Sequence, residues 1–377
     1  MRKDWSDCKN ILCIRPDNMG DLLMSSPAIR ALKETFESKI TVLTSSMAKG
    51  ISRLIKEIDE VIVYDFPWIK MNDEPETAGF MRAVEDLKSR KFDAAVIFTV
   101  YSQNPLPAAM LAYLAQIPYR LAYCRENPYF LLSHWIPEKE PYEYVRHQVR
   151  RDLELVAAVG ATTTQLSLSL TLPSVTWEEV SAKLVGLGVH INEPWLILHA
   201  GVSEQKREYP AHLWIEAGRK LSGINQQVLL TGTSAEKPIT DRLKEEIGNQ
   251  AFSLGGVLNL EEFIVLIHQA SLVISVNTGT VHIAAATGTP VIVLYALTNP
   301  QHLPWKIIGK VLLFDVPESM RSKNEVLRYV HDHLFFKQDP IASPDDIVNA
   351  VLELLDGYRP EMPEMIPLRS PPPLPCR

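Results

Sequence analysis

The stretch LVISVNTGTVHIAAATGTPVIVLYALTNPQHLP, Leu272 to Pro304, predicts a strand, a turn, a helix and a second strand. Leu272 to Val276 is a short apolar run rich in β-branched residues, which is typical of a buried strand. The small polar residues Asn277 to Thr280 follow where the helix should begin, and Gly288 and Pro290 follow where it should end. Ligands of parallel sheets bind beyond the carboxyl ends of strands, and helix N-termini attract anions. This turn is therefore a candidate phosphate site, or else an ordinary helix cap.

The same alternation of strands and helices continues along the chain and predicts two α/β domains with parallel sheets. Residues 171–174, Thr-Leu-Pro-Ser, look like a linker, so the predicted domains are 1–172 and 173–357. Seven prolines fall between Tyr358 and Arg377, a composition that predicts an extended, mostly disordered tail over residues 358–377. The apolar and aromatic segment 102–135 favours a core helix and strand, or alternatively a surface for an amphiphilic acceptor or a bilayer.

Composition excludes several classes of protein. The formal net charge of −7 argues against a nucleic-acid-binding protein, which typically carries an excess of basic residues. The four cysteines form no Cys-x-x-Cys pair, which argues against a zinc ribbon or a disulfide framework and fits a reducing compartment. The chain begins without a secretory signal pattern and has no uninterrupted apolar run long enough to predict a membrane span. It also has no Asp-x-Asp pair that would bridge a metal ion to a sugar nucleotide.

A loop after the first predicted strand carries the first candidate catalytic group. The strand Ile11 to Ile14 runs into a loop that ends in Gly20 and Asp21. Gly20 permits close approach of the backbone to a ligand. Asp21 precedes a helical pattern, so it is either the N-cap of that helix or a general base beyond the end of a strand.

Two further loops in the second half of the chain carry polar candidates. Lys206 and Arg207 lie between a predicted strand and a predicted helix, where a cation would meet a diphosphate or would simply be solvated. Glu236 follows the next strand, and is either a ribose ligand or an acid in the first turn of a helix. His282, one turn into the helix that follows Thr280, is placed to face the same ligand.

These motifs together resemble glycosyltransferase family 9, the bacterial lipopolysaccharide heptosyltransferases that use ADP-heptose. The resemblance extends from about Ile11 to Leu355. It rests on four motifs in order, namely Asn18-Met19-Gly20-Asp21, His199-Ala200-Gly201 with Lys206 before Tyr209-Pro210, Gly232 with Glu236, and Asn277-Thr278-Gly279-Thr280-Val281-His282 with Thr298-Asn299-Pro300.

The resemblance implies a fold and a set of roles. It implies two Rossmann-like domains facing a cleft, the GT-B architecture, and an inverting reaction without a metal or cofactor. Asp21 would be the catalytic base and Lys206 the cation that stabilises the leaving group. The implied substrate-binding residues are Met19, Gly20, Gly201, Arg207, Glu236, Asn277, Thr278, Gly279, Thr280 and His282.

Three features depart from the family pattern, and one is that the segment Ala296-Leu297-Thr298 lacks the family's common Gly after the strand. The family usually has Asp where this chain has Asn277, so heptose as the donor sugar is an open question. The usual Lys-x-Trp-Pro becomes Lys206-Arg207-Glu208-Tyr209-Pro210. Counting from His199 selects Lys206 as the active cation, whereas counting back from Pro210 selects Arg207.

The leading hypothesis is a cytoplasmic glycosyltransferase that moves heptose or a related sugar from a nucleoside-diphosphate donor, an ADP-sugar, to a lipopolysaccharide-type or other glycan acceptor. Peripheral contact with the inner membrane is a further expectation. The alternatives are a sugar-nucleotide epimerase or hydrolase on the same fold, and a nucleotide-sugar-binding protein with weakened catalysis.

Overall fold

The computed structural model describes residues 4–69, 77–337 and 341–372 of the chain. The chain forms two compact units, and the boundary between them falls between Thr171 and Leu172. Each unit contains a six-stranded sheet in which all neighbouring strands are parallel. The expected α/β fold class, with one Rossmann-like sheet in each unit, is confirmed.

The sheet of the first unit has the strand order β3-β2-β1-β4-β5-β6. β1 is central, since Ile11 pairs with Ile40 of β2 on one side and with Ala94 of β4 on the other. Its residues are buried on both faces, as expected of a parallel strand covered by helices on both sides. The elements of this unit are β1 (Asn10–Ile14), α1 (Met19–Phe36), β2 (Lys39–Thr44), α2 (Lys49–Ser52), β3 (Glu60–Val63), α3 (Thr77–Ser89), β4 (Ala94–Ile97), α4 (Leu106–Leu114), β5 (Tyr119–Cys124), β6 (His134–Pro137) and α5 (Gln148–Ala157).

The sheet of the second unit has the strand order β12-β11-β10-β7-β8-β9. Its elements are α6 (Trp177–Gly186), β7 (Trp195–His199), α7 (Ala211–Gly223), β8 (Gln227–Gly232), α8 (Lys237–Ile247), β9 (Ala251–Gly255), α9 (Leu260–Gln269), β10 (Val273–Val276), α10 (Gly279–Thr287), β11 (Val291–Ala296), β12 (Gly309–Phe314), α11 (Glu325–Tyr329) and α12 (Pro344–Leu355). One turn of π-helix, Val330–Leu334, follows α11 directly. β10 and β7 lie side by side although β8 and β9 come between them in sequence, so the ends of β7, β8, β10 and β11 meet at one edge.

The segment 102–135 contains the expected helix and strand, α4 and β5, within the core of the first unit. Several of its large apolar side chains nevertheless remain exposed. Tyr129 and Phe130, in the loop before β6, are 79% and 85% exposed. On α4, Met110, Tyr113 and Leu114 are exposed as well.

The expectation of a disordered tail is wrong for residues 360–369. Gly309 N donates a hydrogen bond to Pro360 O, Met362 N donates to Ile307 O, and Arg369 N donates to Leu334 O. The side chains of Met362 and Ile366 are 3% exposed. Proline removes a donor but not an acceptor, so these backbone hydrogen bonds can form, and the burial of the two apolar side chains adds to them. Residues 373–377 lie outside the described part of the chain.

Within the described ranges, no helix combines the length and the apolar composition that are needed to cross a bilayer.

Candidate functional site

The carboxyl-terminal edge of the second sheet collects most of the predicted binding residues. Gly201, Glu236 and Asn277 follow β7, β8 and β10, and these strands are neighbours in the order β10-β7-β8. Lys206 and Arg207 lie in the loop after β7, within a short 3-10 turn, Gln205–Arg207. The topology therefore brings together residues that are up to 76 positions apart in sequence (Gly201 to Asn277).

The predicted phosphate turn is the N-terminus of α10. Thr278 is the N-cap residue, with extended backbone angles, and Gly279 is the first helical residue. Thr280 and His282 lie in the first turn, and both are 5% exposed. The first N–H groups of a helix lack partners within the helix, so this end of α10 has the electrostatics of an anion site.

Asn277 joins the ends of β10 and β11. Its Oδ1 accepts a hydrogen bond from Ala296 N at 3.3 Å. Its Nδ2 donates to Ala296 O at 3.5 Å and to Thr298 Oγ1 at 3.4 Å. The residue is 6% exposed. An ionised Asp has only acceptor oxygens, so it would set a carboxylate against the carbonyl of Ala296 where Asn donates.

The two candidate cations have different neighbours in the structure. Arg207 Nη1 donates a hydrogen bond to Asn277 O at 3.3 Å, so Arg207 lies directly beside the phosphate turn. Lys206 instead lines a pocket with Leu297 and Thr298, beyond the end of β11. Both cations also contact Glu204, whose Oε2 is 3.0 Å from Lys206 Nζ and 3.5 Å from Arg207 Nη2.

Gly201 and Glu236 lie against each other. A Cβ atom added at Gly201 would be 2.1 Å from Glu236 Oε1, so a side chain at position 201 would have to displace this carboxylate. Glu236 Oε2 accepts hydrogen bonds from Thr233 N at 2.7 Å and from Thr233 Oγ1 at 2.9 Å. Glu236 is thus the third residue of a 3-10 turn, Ser234–Glu236, with Thr233 as the N-cap, and its other carboxylate oxygen lies beside Gly201.

The predicted N-cap role of Asp21 is wrong. α1 begins at Met19, its N-cap residue is Asn18, and Asp21 is the third residue of the helix. Asp21 Oδ2 accepts a hydrogen bond from Asn18 N at 3.3 Å, as in a capping box. The motif Asn18-Met19-Gly20 therefore starts the helix one turn earlier than the apolar periodicity indicated. Gly20 is buried in this first turn, and Met19 is partly exposed.

A buried arginine, Arg15, binds the carboxylate of Asp21. Arg15 is fully buried, and its Nη2 donates to Asp21 Oδ1 at 3.1 Å. Its Nε lies 3.3 Å from Asp17 Oδ2. Burial, together with the charge of Asp21, raises the pKa of Asp17 against the effect of Arg15. Asp21 therefore lies in a preorganised ionic cluster rather than on an open helix end.

Asp152 is a further member of this cluster that the sequence did not indicate. Its carboxylate accepts hydrogen bonds from Ser25 Oγ at 2.7 Å and from Gln148 Nε2 at 2.8 Å. Burial raises the pKa of Asp152 to about 6, although Arg15 and these hydrogen bonds act in the opposite direction. The carboxylate lies on α5, 131 residues after Asp21, and no local pattern links the two.

No group of three or more His, Cys, Asp or Glu residues within the described ranges is arranged to hold a metal ion.

Comparison with known proteins agrees with this architecture. The profile of glycosyltransferase family 9 (heptosyltransferase) matches residues 80–323. Lipooligosaccharide heptosyltransferase 2 of Haemophilus influenzae is 24% identical over 307 residues, which cover 78% of this chain and 85% of that protein.

Two solved structures share the fold across both units. The glycosyltransferase family 9 structure from Veillonella parvula superposes with a TM-score of 0.74 at 15% identity, covering 94% of this chain and 98% of its own. The E. coli ADP-heptose lps heptosyltransferase II gives a TM-score of 0.68 at 19% identity, covering 92% and 98%. The family profile spans more than half of the chain, and the protein therefore belongs to glycosyltransferase family 9, the heptosyltransferases, and is a glycosyltransferase.

Proposed function

We propose that this protein is an inverting, metal-independent transferase that moves heptose or a related sugar from an ADP-sugar to a lipopolysaccharide-type acceptor. The observation that carries the proposal is the cluster of Arg207, Asn277 and the N-terminus of α10 at one sheet edge, with Glu236 two strands away. Related enzymes support the donor class, since a solved structure with the same fold is named for ADP-heptose.

The donor would lie along this edge of the second unit. Glu236, beside Gly201, is placed to accept hydrogen bonds from ribose hydroxyls. The N–H groups at the start of α10 and the guanidinium of Arg207 would bind the diphosphate, for which a planar, permanently charged donor is well suited. Lys206 would reach the same diphosphate from the side of Thr298. These cations supply the charge neutralisation that a metal ion provides in other transferases.

The transfer step needs one base and one stabilised leaving group. Asp21 takes the proton of the acceptor hydroxyl as the hydroxyl oxygen forms its bond to the anomeric carbon. The bond between that carbon and the diphosphate oxygen breaks on the opposite face, which inverts the configuration. The nucleoside diphosphate leaves with its charge held by Arg207, Lys206 and the helix N-terminus. Arg15 and Asn18 fix the direction of the Asp21 carboxylate by binding one oxygen each.

Asn277 plays a supporting part in this scheme. Its amide is engaged with Ala296 and Thr298, so its contribution is to hold the phosphate turn against the end of β11. We infer that the donor sugar is read by other groups, on the β11 side of the turn.

The first unit offers a surface for the membrane that bears a lipid-linked acceptor. We define this aromatic face as Met110, Tyr113, Leu114, Tyr129 and Phe130. Arg120 holds it together, because its guanidinium donates to Phe130 O at 2.8 Å and its Cζ lies 5.3 Å from the ring centroid of Tyr113. Exposed aromatic side chains of this kind favour the interfacial region of a bilayer.

Replacement of the proposed base tests the reaction. Asp21→Asn should lower the transfer rate by about 10²–10⁴-fold, because the amide cannot take a proton, while the affinity for ADP stays unchanged. The assay is ADP release from ADP-heptose with a truncated lipopolysaccharide acceptor, and Asp86→Asn, at an exposed position on α3, is the matched control. Wild-type turnover by Asp21→Asn would refute the assigned role.

A methyl group at Gly201 tests the nucleotide position. Gly201→Ala should displace the Glu236 carboxylate and weaken ADP binding at least about tenfold in calorimetry, the cost of losing a charge-assisted hydrogen bond. Gly223→Ala is the control, because a Cβ there meets nothing within 4 Å among the described residues. Equal ADP affinity in the two variants would remove Glu236 from the donor site.

The aromatic face predicts binding to vesicles. The double variant Tyr129→Ser, Phe130→Ser should reduce the fraction of protein that sediments with phospholipid vesicles by severalfold, since it removes two exposed rings from the interface. Tyr358→Ser, which removes a ring that is 56% exposed on the second unit, should sediment like the wild type. Undiminished sedimentation of the double variant would contradict this surface.

A further inference from the structure

A basic pocket lies beyond the ends of β11 and β12 in the second unit. The segment that follows β12, from Val316 to Asp332, forms one wall, and Leu297 and Thr298 after β11 form the other. Lys206 stands at the same pocket, which therefore adjoins the proposed diphosphate site. The roles proposed above for Lys206, Arg207 and α10 leave the rest of this pocket without a function.

The lining of the basic pocket carries an excess of positive charge. Arg321, Arg328 and Lys206 contribute three cations, of which Lys206 is paired with Glu204, whereas Asp332 is the carboxylate among the lining residues. Within the described ranges, neither Arg321 nor Arg328 makes a side-chain ion pair or hydrogen bond. Both side chains are exposed at the pocket, where their guanidinium groups are accessible to a ligand, and paired arginines are typical of sites for carboxylates and phosphates.

His331 adds a polar atom that has no partner. Its Nε2 is buried and makes no hydrogen bond to any described residue. On the other side of the ring, Nδ1 lies 3.6 Å from Asp332 Oδ1. Burial, followed by the charge of Arg321, lowers the pKa of His331, whereas Asp332 and Asp315 act to raise it. A buried ring nitrogen without a partner is costly unless a ligand occupies it.

The strand order indicates which part of a donor would reach the basic pocket. Neighbouring strands are about 4.8 Å apart, so the step from β8 to β10 spans about 10 Å and the step from β10 to β12 about 10 Å more. In the proposed donor site, the ribose lies at Glu236 after β8 and the diphosphate lies at the turn after β10. The sugar of this donor is therefore directed towards β11 and β12. The pocket is therefore at the sugar end, where the two reacting sugars meet.

We infer that the basic pocket binds a carboxylate or phosphate group carried by one of the reacting sugars. The inference rests on the proposed function, since it takes its orientation from the proposed donor site. Two sources share this chemistry, an acidic donor sugar and an acidic sugar next to the accepting hydroxyl. In either case Arg321 and Arg328 are specificity-determining residues, because an acidic group gives both guanidinium groups a charged partner that a neutral sugar cannot supply.

The test compares wild-type protein with the double variant Arg321→Gln, Arg328→Gln. Calorimetry with ADP, ADP-glucose and ADP-glucuronic acid measures the donor side. The Michaelis constant for a truncated lipopolysaccharide acceptor, with ADP-heptose as donor, measures the acceptor side. A second double variant, Arg219→Gln with Arg242→Gln, removes the same charge from α7 and α8 of the same unit and serves as the control.

An acidic donor predicts that wild-type protein binds ADP-glucuronic acid at least about tenfold more tightly than ADP-glucose, and that the pocket variant loses this preference. An acidic acceptor predicts a rise of at least about tenfold in the acceptor Michaelis constant with the ADP affinity unchanged. Normal ADP binding with neither change would overturn the pocket inference alone. Failure of wild-type protein to bind ADP would overturn the proposed donor site and the inference with it.

Discussion

The hydrogen bonds of Asn277 hold the end of β10 against the end of β11, and the arrangement of the second unit's site follows from them. Its side-chain amide donates to and accepts from the backbone of Ala296, so the residue after β10 is bound to the last residue of β11. Its carbonyl accepts from Arg207, which draws the loop after β7 to the same point. The next residue, Thr278, starts α10. One residue thus positions a cation, through its backbone carbonyl, and the start of α10, through its side chain, relative to each other.

This role gives a physical reason for asparagine where the family usually has aspartate. The bonds to Ala296 use the acceptor oxygen and the donor nitrogen of one amide, and a carboxylate supplies only the first. The side chain is 6% exposed, so an uncompensated charge at this position would also carry a desolvation cost. If the family's aspartate reads the donor sugar, this chain must read its sugar elsewhere. The basic pocket beyond β11, which Thr298 also lines, is the site inferred above for an acidic group of the donor or of the acceptor.

Much of the fold was predictable because parallel sheets leave strong local signals. Runs such as Ile11–Ile14 and Val291–Tyr295 are apolar throughout, since helices cover both faces of each sheet. β6 was missed because His134–Pro137 is a short strand at the edge of the sheet with half-exposed residues. The ordered part of the tail was missed because Met362 and Ile366 stand alone among prolines, and isolated apolar residues make no periodic pattern.

The site was predictable only where a sequence motif falls in a loop that directly follows a predicted strand. The turn Asn277 to Thr280 and the pair Gly201 and Glu236 follow predicted strands, so topology alone brings them together. The network around Asp21 was not accessible in this way. Arg15 lies in the loop after β1, and nothing in the sequence indicates that this charged side chain is fully buried. Asp152 reaches the cluster from α5. Likewise, the cations of the basic pocket come from the loop after β7 and from short helices after β12, and no local pattern links them. Such contacts depend on tertiary packing between distant elements.

Hydrogen–deuterium exchange with and without ADP tests the central claim, that a nucleoside diphosphate binds at the carboxyl edge of the second sheet. Backbone N–H groups that gain a phosphate or ribose partner exchange more slowly. The account predicts slower exchange in three segments, residues 199–207, 232–240 and 276–284, with the largest effect at the start of α10. Unchanged exchange in all three segments at saturating ADP, with protection confined to other parts of the chain, would contradict it.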